Sequence, residues 1–78
     1  MQINSAKKGY TMLTNIYISL RKFFDTNKTG ATNIYLGRES WKRVQELDNK
    51  NIVRDGDRPT FLGLKVYIVD ADNHCALS

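Results

Sequence analysis

Seventy-eight residues, 41% apolar and 26% charged, describe one small globular domain and exclude both a disordered chain and a second domain within it. Twelve basic residues against eight acidic ones leave a charge of +4, which permits weak attraction to polyanions without establishing it. The single cysteine, Cys75, excludes an internal disulfide scaffold, and no apolar run approaches the roughly 20 residues of a membrane span.

Residues 1–10, "MQINSAKKGY", show no periodicity and read as a loose tail ahead of a single domain over 11–78. Lys7 and Lys8 before an apolar stretch give a superficial likeness to a signal peptide. Thr11, Thr14 and Asn15 interrupt that stretch, however, and no small-x-small cleavage pattern follows. The expected setting is therefore a reducing cytoplasm. Met12 is a candidate natural start, which mass analysis of the N-terminus would test.

From Thr11 the pattern changes. Leu13, Ile16, Tyr17, Leu20, Phe23 and Phe24 share one helical stripe, with Thr11 available as N-cap and Gly30 as the left-handed residue that closes the helix. Residues 32–37, "TNIYLG", read as a short strand with Ile34 and Leu36 on one face and Tyr35 on the other. "RESWKRVQEL" follows as a second helix, with Trp41 and Val44 on its apolar side. The spaced pairs Glu39–Arg43 and Glu46–Lys50 lie on its solvated face.

Asn49, Asn51, Asp55–Gly56 and Pro59 then break the order, leaving Ile52 and Val53 to anchor a loop. "TFLGLKVYIVD" reads as one strand, with Leu64, Val66 and Ile68 toward the core and Lys65, Tyr67 and Val69 away from it. Gly63 marks a bulge or a close backbone approach within that strand. Residues 70–73 turn the chain so that "HCALS" pairs back on it as a hairpin. The expected fold is α+β in the order α-β-α-β-β, a three-stranded mixed sheet with two helices on one face.

Asp70, Asp72 and His74 alternate, so on an extended strand they would share a face and could converge on a metal. A calcium loop starting at Asp70 would need glycine where Cys75 stands and a glutamate beyond the last residue. A turn is the simpler reading, because Asp and Asn tolerate chain reversal. His74 has no partnered nucleophile nearby, and no cation stands beside Cys75 to lower its pKa. "NKTG" matches a glycosylation sequon and a K-T-G triplet. The first is irrelevant in a cytoplasm, and the second lacks an S-x-x-K serine, so a helix-ending turn explains both. No catalytic set, metal site or cofactor fingerprint emerges.

"NKTGATNIYLGRESWKRVQEL" and "FLGLKVYIVDADNHCALS" together resemble small phage- or prophage-encoded proteins with an "IYLG" strand, a helix with a central aromatic and a "GLxVYxVDxDxH" ending. The resemblance covers residues 12–78, with Gly37, Trp41, Gly63, Asp70 and His74 at the matching positions. It implies a prophage origin and a bacterial cytoplasm, and it supplies no catalytic residues. The expected function is a non-catalytic protein–protein interaction module, binding another protein or a second copy of itself. Its expected surface is the uncovered sheet face, with Tyr35, Lys65, Tyr67 and His74. The alternative is a weak nucleic-acid binder that uses a basic patch of Arg21, Lys22, Lys42 and Arg43 on the helices.

Overall fold

The computed structural model describes residues 5–78, with side chains from Thr11 onward. Helix α1 (Ser5–Asn27) comes first, followed by β1 (Asn33–Gly37) and α2 (Arg38–Leu47). A single 3₁₀ turn (Asn49–Asn51) leads to the short strands β2 (Ile52–Val53) and β3 (Thr60–Phe61), and then to β4 (Leu64–Val69) and β5 (Cys75–Leu77). The five strands form one mixed sheet in the order β2-β3-β4-β1-β5, so β1 and β4 are its centre.

The α+β class, the two helices and the parallel pairing of β1 with β4 agree with the sequence reading. Ile34 opposes Val66 in that pair, and the core forms on this face. Leu13 and Ile16 from α1, Val44 from α2, Ile34 and Leu36 from β1, Phe61 from β3, and Leu64 and Val66 from β4 are its buried members. Each such side chain contributes roughly 1.5–3 kcal/mol by leaving water. Trp41 is half-buried against this cluster rather than enclosed, with the Arg54 guanidinium 5.8 Å from its ring.

The sheet has five strands where three were expected. Ile52 and Val53, read as a loop, pair antiparallel with Phe61 and Thr60. A two-residue strand is too short to display alternation, so nothing local announces it. "TFLGLKVYIVD" is likewise two strands. Leu62 and Gly63 both take positive φ, 54° and 81°, the pattern of a type I′ hairpin turn, and Phe61 pairs directly with Leu64. Gly63 therefore sits in a turn and not in a bulge. Leu62 accepts the unfavourable backbone while its side chain packs on the core and its N–H donates to the Asn51 carbonyl at 3.1 Å.

The last strand also pairs differently. β5 runs antiparallel to β1, with Tyr35 opposite Ala76, and does not form a hairpin with β4. The connection from β4 must therefore cross over the end of β1.

Helix α1 has no break at Thr11, and the expected tail boundary falls inside it. The part of that tail over residues 1–4 lies outside the described residues. At the other end Lys28, with φ 61°, takes the left-handed conformation assigned to Gly30, and its N–H still bonds the Phe24 carbonyl at 2.7 Å. The predicted stripe is only partly covered, because β5 beneath α1 is three residues long. Tyr17 and Phe24 are consequently 46% and 53% exposed. Ile68 lies beyond the short strand β3 and is 46% exposed despite sharing the core face. Among the described residues the ion pairs are Arg21–Asp25 and Arg38–Asp70, so the expected Glu39–Arg43 and Glu46–Lys50 bridges do not form.

Candidate functional site

The crossing from β4 to β5 contains the residues that looked most like chemistry. Asp70, Asp72 and His74 do not converge. The Asp70 carboxylate pairs with the Arg38 guanidinium at 2.8 Å, both side chains in water. Asp72 acts through its backbone: its carbonyl oxygen accepts the N–H groups of Glu39 at 3.0 Å and Ser40 at 3.1 Å. Those are two of the donors that the first turn of any helix leaves unpaired, and Gly37, at the N-cap of α2, has no side chain to accept them. The His74 carbonyl accepts the Gly37 N–H at 2.9 Å. The loop thus caps α2 from across the sheet. Among the described residues no group of three or more His, Cys, Asp or Glu side chains is placed to hold a metal ion.

The sheet face away from the core is assembled by alternation. Ile34 and Leu36 point inward, so Tyr35 points outward, and Tyr67 stands beside it in the parallel register. The rings stack with centroids 5.2 Å apart and 23° between planes. Arg58 lies over the far side of Tyr67, its guanidinium 4.0 Å from the ring, and Nη1 donates to the Val66 carbonyl at 3.1 Å. On the other side the Ser78 hydroxyl donates to the Tyr35 hydroxyl at 3.1 Å. Lys65, registered with Asn33, is exposed on the same face. The result is a row running Arg58, Tyr67, Tyr35 and then Ala76.

Three of the four residues expected at this surface, Tyr35, Lys65 and Tyr67, are brought together. His74 is exposed just before β5, and alternation with Ala76 puts it on the same face but one rank along from the row, level with Gly37. Arg58 was missed. It stands in the loop before Pro59, and only the β3–β4 hairpin, invisible as such in the sequence, carries it to Tyr67.

The four basic helix residues are not gathered into one patch. Met12 shares a surface hollow with Ser40 and Arg43, while the Tyr17 hydroxyl donates to Asp48 at 3.0 Å, so α1 runs alongside α2 in the same sense. Arg21 then lies on the order of 13 Å along the axis from the level of Arg43, farther than a Debye length at physiological salt. Arg21 is also paired with Asp25 at 3.6 Å, and Lys22 lies on the flank of α1 that faces β5.

Cys75 carries an exposed thiol whose pKa is pushed above its ordinary value by desolvation beside α1, the direction that suppresses the thiolate. Among the described residues no helix is long and apolar enough to cross a membrane. No family model matches the chain, and neither a curated protein nor a solved structure is significantly similar to it.

Proposed function

We propose that this chain is a non-catalytic module that binds another protein through the sheet face its helices leave open. The stacked tyrosines with Arg58 over them carry this reading, because tyrosine and arginine are the residues that most often dominate protein interfaces. Their rings are ordered before binding, so a partner meets a preformed surface and loses little side-chain entropy there. The resemblance carried by "IYLG" and "GLKVYIVDADNH" supports a phage or prophage origin and work in a bacterial cytoplasm. Capsid, tail or repressor genes beside this one would bear that out.

A photo-crosslinking residue at Lys65, compared with one at the exposed Ile18 of α1, tests the surface. A discrete adduct from Lys65 alone, lost when Tyr35 and Tyr67 are both alanine, is the expected outcome. An adduct of twice the chain mass would make the partner a second copy. Equal adducts from both positions, or none from Lys65, would end the proposal.

A second reading, nucleic-acid binding, draws on the same face rather than on the helices. Arg58 and Lys65 flank the tyrosines, and the outward residues of the five strands include no carboxylate. Bases stack on such rings and phosphates pair with such cations. Titration with a single-stranded oligonucleotide at about 50 mM and about 200 mM salt decides it, since phosphate contacts weaken steeply over that range. No retardation at the lower salt dismisses it.

A further inference from the structure

We infer that the outer edge of β5 is a strand-addition site for an extended segment of another polypeptide, an inference that rests on the protein-binding reading above. β5 ends the sheet on one side. Asn33 and Ser78 exchange both backbone hydrogen bonds, at 3.0 and 3.1 Å, and Gly37 donates to the His74 carbonyl at 2.9 Å. In an antiparallel ladder this makes 74, 76 and 78 the residues that bond inward to β1. Cys75 and Leu77 therefore direct their N–H and C=O groups outward, and among the described residues none of these four groups has a partner. Water satisfies such groups in the free chain, and an extended backbone presents donors and acceptors at the same spacing.

The space beside that edge is a shallow hollow, open to solvent. A cleft of about 360 Å³ runs between β5 and α1, with Phe23, Cys75 and Leu77 among its walls and Ser19, Lys22 and Asn27 along it. In an added antiparallel strand, the residues bonded to Cys75 and Leu77 project to the same side as those two side chains, into the cleft. Lys22 makes no ion pair among the described residues and can meet an acidic side chain there. The intervening residue projects to the opposite face above Ala76, where an aromatic ring would continue the row from Tyr35. The opposite edge, β2, offers only two residues, too few to hold a second strand in register. The partner is therefore an extended segment with apolar residues at alternate positions, an acid next to one of them, and an aromatic between them.

A displayed library of random ten-residue peptides, panned against the whole chain, tests this. Cys75→Pro removes one outward N–H and no bond to β1, a place where an edge strand tolerates proline; Cys75→Ala keeps the N–H. Selected peptides should protect the Cys75 and Leu77 amides from hydrogen exchange. They should bind Cys75→Pro at least tenfold more weakly than Cys75→Ala, and Lys22→Glu several-fold more weakly than the natural chain. Amide spectra of each variant confirm that it is folded. Peptides that bind Cys75→Pro and Cys75→Ala equally overturn the inference. If such peptides are instead lost with Tyr35→Ala, the edge fails and the protein-binding reading stands. A chain that selects no peptide and gives no Lys65 adduct loses both.

Discussion

The carbonyl oxygen of Ala71 occupies the space that a Cβ on Gly37 would need, and the Asp72 carbonyl oxygen would stand only 2.5 Å from that atom. Both obstacles are backbone, and the same stretch caps α2, so neither can withdraw without releasing the Glu39 and Ser40 amides. Gly37→Ala should therefore destabilise the fold by about 3 kcal/mol, the upper part of the range for overpacking. In a domain this small that lowers the melting temperature by more than about 10 °C. Thermal denaturation followed by circular dichroism checks it, and a loss under a few degrees would mean that the crossing can shift.

The aspartates of the same loop should matter much less. Asp72 caps α2 with its carbonyl, which Asp72→Ala retains, and the Asp70–Arg38 pair is solvent-exposed on both sides. Exposed pairs contribute about 0.2–1 kcal/mol. Each alanine variant should melt within roughly 5 °C of the natural chain, on the usual scaling. Adding calcium, zinc or manganese separates this from a binding role. A large stabilisation by any of them that disappears in Asp72→Ala would return the loop to the class of metal sites.

The contrast between these variants shows what the sequence can and cannot disclose. Leu13 and Ile16, and Ile34 with Leu36, announce themselves by period, because a helix and a strand each repeat their buried side at a constant spacing. Trp41 and Val44 mark α2 in the same way. Backbone relationships leave no such trace. The Asp72 carbonyl serves α2 from more than thirty residues away, and its side chain, the part a sequence reports, is the part that does not cap. Tyr35 and Tyr67 were legible as outward residues, yet their stacking needed the parallel register. Arg58 needed the hairpin at Leu62 and Gly63, where a leucine in a glycine-type conformation hides the turn.

A second residue in that conformation gives a stabilising prediction. Lys28 follows α1 with φ 61°, a conformation that costs a non-glycine residue roughly 1–2 kcal/mol. Lys28→Gly removes that cost, gives back part of it through a more disordered unfolded chain, and loses a cation at the helix C-terminus. The balance is a gain of about 0.5 kcal/mol. Differential scanning calorimetry should show a rise of a few degrees, and a lower melting temperature would show that the Lys28 side chain holds α1 in some other way.

Tyr17 ties α1 to α2 by donating to Asp48, a carboxylate only 6% exposed that also accepts from the Asn51 amide at 2.7 Å. Desolvation of the hydroxyl, then the hydrogen bond to Asp48, then the charge of that carboxylate raise the Tyr17 pKa above its ordinary 10.0. Loss of the hydroxyl in Tyr17→Phe should cost about 1 kcal/mol at neutral pH, less than the usual bond to a charged acceptor because Tyr17 is half-exposed. The pH dependence follows from the direction of the shift. Above the ordinary value the unfolded chain releases this proton first and binds fewer protons than the folded one, so stability falls as pH rises. The Tyr17 contribution is complete below pH 10.0 and is lost as pH climbs through the raised folded value. Tyr17→Phe has no such group. Urea unfolding at neutral pH and at steps between pH 9 and 11.5 should show the gap between the two proteins narrowing from pH 10.0 upward. A gap that stays constant throughout would mean that the hydroxyl is not held by Asp48 in solution.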